Sequence, residues 1–109
     1  MAILKTYFQT FKTDKLGQIF LTGILDVTKF QKVSVEIVPG PGAPAQNMSI
    51  TSYLGKLSGA TLGEAVEQFP LVAEAKIHTY DVVGPEFNLI LSSGPANTDM
   101  PIQAWVFLH

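Results

Sequence analysis

The chain has 109 residues, enough for one hydrophobic core and too few for a second. Hydrophobic residues make up 47% and charged residues only 15%, against roughly 25% charged in ordinary soluble domains, so much of the surface must be neutral or apolar. A formal net charge of -2 with no Arg at all argues against nucleic acid as a partner, and the absence of Cys removes thiol catalysis, Cys-based zinc and disulfides.

In chain order, Leu4, Thr6, Phe8 and Thr10 mark an opening strand. Before it, Met1 to Lys5 turns polar too early for a secretory signal, and no apolar run is long enough to span a membrane, so the chain is expected to be cytoplasmic by default. Gln18 to Leu25 predicts a second strand, bent at Gly23. The clearest period of two follows, with Val33, Val35 and Ile37 set between Lys32, Ser34 and Glu36, the mark of a half-buried strand. Pro39-Gly40-Pro41-Gly42-Ala43-Pro44 reads as a projecting loop. Met48 to Leu54 alternates again. Thr61-Leu62-Gly63-Glu64 then fits a capping box, and Leu62, Val66 and Phe69 fall on one helical face, which predicts a short helix near residues 62–69 ended by Pro70. Lys76 to Val83 and Phe87 to Leu91 are further strands, with turns at Gly84-Pro85 and Gly94 to Asn97. The last run, Ile102 to Leu108, is apolar on both faces, as expected where a strand is buried on both sides or packed against a partner.

About seven or eight strands and one short helix predict an all-β fold, an antiparallel two-sheet sandwich of jelly-roll-like form, in a single domain over residues 1–109. The phrase from Leu25 through Val27, Phe30 and Val33 to Ile37 resembles a turn-then-strand phrase of galactose-binding-like jelly rolls and related bacterial or phage surface modules. That resemblance implies the fold and carries no binding residue with it.

No G-x-S-x-G, H-E-x-x-H, P-loop or G-x-G-x-x-G pattern is present, and His78 and His109 are the only imidazoles. His78 and Asp81 lie three apart on one strand and so face opposite ways, while Asp14, Asp26, Glu86 and Asp99 read as solvated turn carboxylates. No metal and no cofactor is expected. The aromatic residues carry more information. Tyr53 shares a face with Ser49 and Thr51, opposite Met48 and Ile50; Trp105 shares one with Gln103, Phe107 and His109, opposite Ile102, Ala104, Val106 and Leu108; Tyr80 lies between His78 and Val82 on its own face. Tyr53, Tyr80, Gln103, Trp105 and Phe107 are therefore the candidate platform, open to three readings: core, subunit or domain interface, or a stacking surface for sugar rings. The leading expectation is a non-catalytic association or assembly module, self-associating as a homo-oligomer or docking in a larger protein assembly. A carbohydrate-binding module that takes a saccharide on its aromatics comes second. An enzyme of unknown reaction comes third, and would need His78 against a carboxylate in a polar cleft.

Overall fold

The structure, a computed structural model, describes residues 2–43, 47–55 and 64–109. Within them the chain forms β1 (Ile3–Lys12), β2 (Ile19–Phe20), β3 (Leu25–Asp26), β4 (Lys32–Pro39), β5 (Ser49–Gly55), β6 (Glu64–Pro70), β7 (Ile77–Asp81), β8 (Glu86–Ser92) and β9 (Asp99–Leu108). One sheet has the order β1-β9-β4-β7 and the other β2-β8-β5-β6, with β3 also on β8. Every pairing is antiparallel.

The topology follows from how the strands nest. β2 and β3 share β8 as partner and are separated by Gly23, whose φ of 64° lies where side-chain-bearing residues rarely go. They act as one strand broken in the middle. Counted so, β1 pairs with β9, β2/β3 with β8, β4 with β7 and β5 with β6. Outermost pairs with outermost, inward to the β5–β6 hairpin, which is one long antiparallel hairpin rolled into two sheets: the jelly roll.

Alternation along each strand builds the core. Val33, Val35 and Ile37 of β4 and Met100, Ile102, Ala104, Val106 and Leu108 of β9 point inward from the four-stranded sheet. Ile50 and Leu54 of β5 and Phe87, Leu89 and Leu91 of β8 meet them from the other. Each of the larger side chains, fully withdrawn from water, contributes about 1.5–3 kcal/mol before the entropy of ordering it is subtracted.

The helix expected near residues 62–69 does not form over its described part: Glu64 to Pro70 is the edge strand β6, while Thr61, Leu62 and Gly63 lie outside the described residues. A helix of that length is not stable alone. Pairing with β5 supplies the backbone hydrogen bonds instead and buries Phe69 opposite Ile50. A register shift between Ser52 and Tyr53 leaves Val66 as the extra residue of a bulge, so Val66 and Phe69 do not share a buried stripe.

The Pro/Gly loop begins with a tight turn in which the Ala43 N–H donates to the Gly40 carbonyl at 3.2 Å. Gly42 has a φ of 85° behind Pro41, the arrangement a type II turn requires. The Gly40 N–H in turn donates to the Pro101 carbonyl at 2.8 Å, anchoring the loop to β9.

Candidate functional site

Because one face of β9 is committed to the core, its other face is thrown outward. Pro101, Gln103, Trp105 and Phe107 stand there, and the pairing registers bring neighbours from all four strands beside them. Leu4 of β1 lies opposite Phe107, Thr6 opposite Trp105 and Phe8 opposite Gln103. On the other side, Ser34 of β4 lies opposite Phe107 and Glu36 opposite Trp105, and Ile77 of β7 is paired with Glu36. The Phe8 ring meets Trp105 edge-on at 4.7 Å and 75°, and Phe107 stacks on His109 at 4.6 Å and 23°. Both spacings suit the ring quadrupole. Leu4, Phe8 and Ile77 are each more than half exposed. Ser34, Glu36, Ile77, Trp105, Phe107 and His109 line a shallow hollow of about 380 Å³ in this face.

The other two candidates lie elsewhere. Tyr53 is on the outer face of the opposite sheet, beside Asn88 and Ala65. Tyr80 does not join an outer stripe. It sits opposite Val33, whose side chain is buried, and so points between the sheets. There the Ser52 hydroxyl donates to the Tyr80 oxygen at 3.0 Å, and the Tyr80 hydroxyl donates to Glu67 Oε1 at 2.8 Å. His78 Nδ1 lies 2.9 Å from the same Oε1. A carboxylate only accepts, which makes Nδ1 the donor. The His78 ring also stacks on Phe69 at 3.8 Å and 13°. Burial drives the Tyr80 phenol well above the ordinary tyrosine range; the Ser52 hydrogen bond opposes this, and the bond and charge of Glu67 add to it.

This network joins β5, β6 and β7 across the open edge where the two sheets meet. It does place an imidazole on a carboxylate, beside a cleft of about 180 Å³ lined by Glu67, Phe69, Glu74, Lys76 and His78 among others. However, among the described residues no hydroxyl lines that cleft, and Ser52 is wholly buried behind Tyr80. What the arrangement does is tie one sheet to the other.

No protein-family model matches this sequence, and no curated protein matches it. The fold, though, has a solved counterpart. A structure from work showing that Bacillus endospore appendages form a novel family of disulfide-linked pili superposes with a TM-score of 0.62 at 13% identity, covering 99% of this chain and 87% of that one. A structure of infectious bursal disease virus, Gt strain, aligns with a TM-score of 0.36 and 11% identity, covering 98% of this chain and 32% of that one. At such identities the likeness to the pilus protein is one of fold.

Of the five candidates, then, Gln103, Trp105 and Phe107 share a surface and Tyr53 and Tyr80 do not. His109 joins that surface as the alternation along the last strand implies, while Leu4, Phe8, Glu36 and Ile77 complete it and were not legible as part of it, because only the registers of β1, β4 and β7 bring them there. Of the expected turn carboxylates, Glu86 and Asp99 begin β8 and β9, while Asp14 and Asp26 hold their own turns. Asp14 Oδ1 accepts from the Leu16 and Gln18 amides at 2.8 and 2.9 Å. Asp26 Oδ1 accepts from the Thr28 amide and hydroxyl, which lowers its pKa. Among the described residues no three His, Asp or Glu side chains converge as metal ligands.

Proposed function

We propose that this chain is a non-catalytic assembly module that binds further copies of itself through the outer face of the four-stranded sheet. The observation that carries the reading is the contiguous apolar surface of Leu4, Phe8, Trp105 and Phe107 on β1 and β9, with Ile77 of β7 exposed across Glu36, on a chain with few charges to hold copies apart. Sharing a fold with a pilus protein supports the reading. The mode of joining must differ from that protein's disulfides, since this sequence has no Cys and its contacts would be non-covalent.

Light scattering or sedimentation at high micromolar concentration tests it. The wild-type chain is expected to be multimeric, and Trp105→Glu to weaken association at least roughly 30-fold, as loss of a central Trp anchor does. Circular dichroism should show the variant still folded. A wild-type chain that stays strictly monomeric sinks the reading.

A saccharide-binding reading gains one specific support: Glu36 and Ser34 stand directly beside Trp105 and Phe107, giving the aromatic platform the polar partners a sugar needs. Trp fluorescence unmoved by saccharides, together with a blank glycan array, removes it.

A further inference from the structure

The edges of the two sheets are not alike. β6 is interrupted by its bulge and ends in Pro70; β7 has five residues; β2 and β3 have two each and are parted by Gly23. Short, bulged or broken edges resist pairing with another chain. β1 has none of these features. It runs for ten residues in unbroken register with β9, from Ile3 opposite Leu108 to Lys12 opposite Asp99, without Gly, Pro or bulge. Its charges, Lys5 and Lys12, flank the uncharged stretch Thr6-Tyr7-Phe8-Gln9-Thr10-Phe11, whose β-branched and aromatic content suits strand pairing.

The free hydrogen-bonding groups of β1 can be assigned. The Thr13 N–H donates to the Thr98 carbonyl at 3.0 Å, one step beyond the β1–β9 ladder in the same register. Antiparallel ladders alternate, so Ile3, Lys5, Tyr7, Gln9 and Phe11 direct their N–H and C=O groups at β9. Those of Leu4, Thr6, Phe8, Thr10 and Lys12 point to the open side, where no described strand pairs with them.

We infer that this edge pairs with β1 of a second copy, antiparallel across a two-fold axis at Phe8. A second copy is the fitting occupant because β1 is the one long, regular edge it can offer among the described strands. A two-fold at Phe8 sets Thr6 opposite Thr10 and keeps each Lys off the other, with Lys5 opposite Phe11 and Lys12 opposite Leu4. The pairing fuses two four-stranded sheets into one of eight strands and joins their apolar outer faces. It extends the association proposed above to a second surface and is separable from it.

Amide hydrogen exchange of the full chain, followed residue by residue by NMR at concentrations where it associates, tests the pairing. The amides of Thr6, Phe8 and Thr10 are expected to slow at least tenfold on raising the concentration, while those of Lys5, Tyr7 and Gln9 are already protected in the monomer. Thr6→Pro removes a donor that only the second copy uses, so it should abolish this slowing and lower the assembled mass with β1 still on β9. Trp105→Glu should leave the slowing in place. If the Thr6, Phe8 and Thr10 amides exchange freely in an associated wild-type chain, the pairing is overturned and the face contact stands; if Trp105→Glu removes association and slowing together, the edge has no affinity of its own and the inference also fails.

Discussion

The two sheets cover the same core yet differ in the residues they turn outward. On the five-stranded side the outward positions are largely polar, with Tyr53 of β5 and Gln68 of β6 reaching the surface while Thr51 and Asn88 are buried, and Thr22 donates to Asn88 Oδ1 at 3.2 Å. Its apolar content near the centre is a single cross-strand pair, Phe20 over Ile90. On the four-stranded side the apolar residues adjoin one another from Leu4 through Phe107, Trp105 and Phe8. Exposed apolar surface is therefore not spread evenly around this molecule. It gathers beside the last strand, where Leu4, Phe8 and Phe107 are exposed, and that is where a partner gains most by excluding water.

The comparison is broken most sharply within β9, where neighbouring residues face opposite ways. Leu108→Ala, on the inner face, should cost about 2–5 kcal/mol in urea unfolding through the cavity it leaves. Phe107→Ala, one residue away and outside, should cost about 1 kcal/mol or less while weakening association. Equal destabilisation by the two would make the outer aromatics part of the monomer's own packing. Next in size, Trp105→Glu should lower the assembled mass where Tyr53→Glu, the matching change on the opposite face, leaves it unaltered; the reverse would exchange the roles of the two faces.

The sandwich was legible because burial on one side of a sheet imposes a period of two, and β4, β5, β8 and β9 carry it plainly. β6 was misread for a physical reason: Leu62, Val66 and Phe69 satisfy a helical period, but local propensity is weak beside the ladder hydrogen bonds that β5 offers. On β1 both faces are mixed, with Lys5, Tyr7, exposed Gln9 and Phe11 on the core side and Leu4, Thr6, Phe8 and Thr10 on the other, so nothing local marks Phe8 as a neighbour of Trp105. Tyr80 fell on the wrong side because its polar tip finds Ser52 and Glu67 within the seam, a long-range match that alternation does not reveal.

That seam holds the two faces in place, and Tyr80→Phe measures how much. The change should cost about 1–2 kcal/mol, since a buried hydroxyl pair loses its partner. It should also act on the pH dependence. The folded-state pKa of Tyr80 is raised above its unfolded value near 10, so its contribution is fully present below pH 10 and is lost as the pH climbs toward the folded value. Urea midpoints followed from pH 8 upward should fall more gently for Tyr80→Phe than for the wild type. Identical alkaline slopes would mean that the seam does not govern the approach of the sheets at high pH.

The smallest effect concerns the rim of the apolar face, where Lys32 Nζ lies 2.9 Å from Asp81 Oδ1. The hydrogen bond and charge of Lys32 hold the Asp81 carboxyl below its ordinary pKa, so the pair's contribution is present above that ordinary value and fades as the pH falls through the lower, folded one. Both groups are well exposed and salt screens them, so in a Trp105→Glu background Asp81→Asn should scarcely move the urea midpoint. In the assembling wild-type chain the same substitution should weaken association measurably, because a partner seated on Ile77 and Trp105 withdraws the neighbouring rim from water and lowers the dielectric around the pair. Equal and negligible effects in both backgrounds would place the contact away from β7 and confine it to the β1 and β9 half of the face.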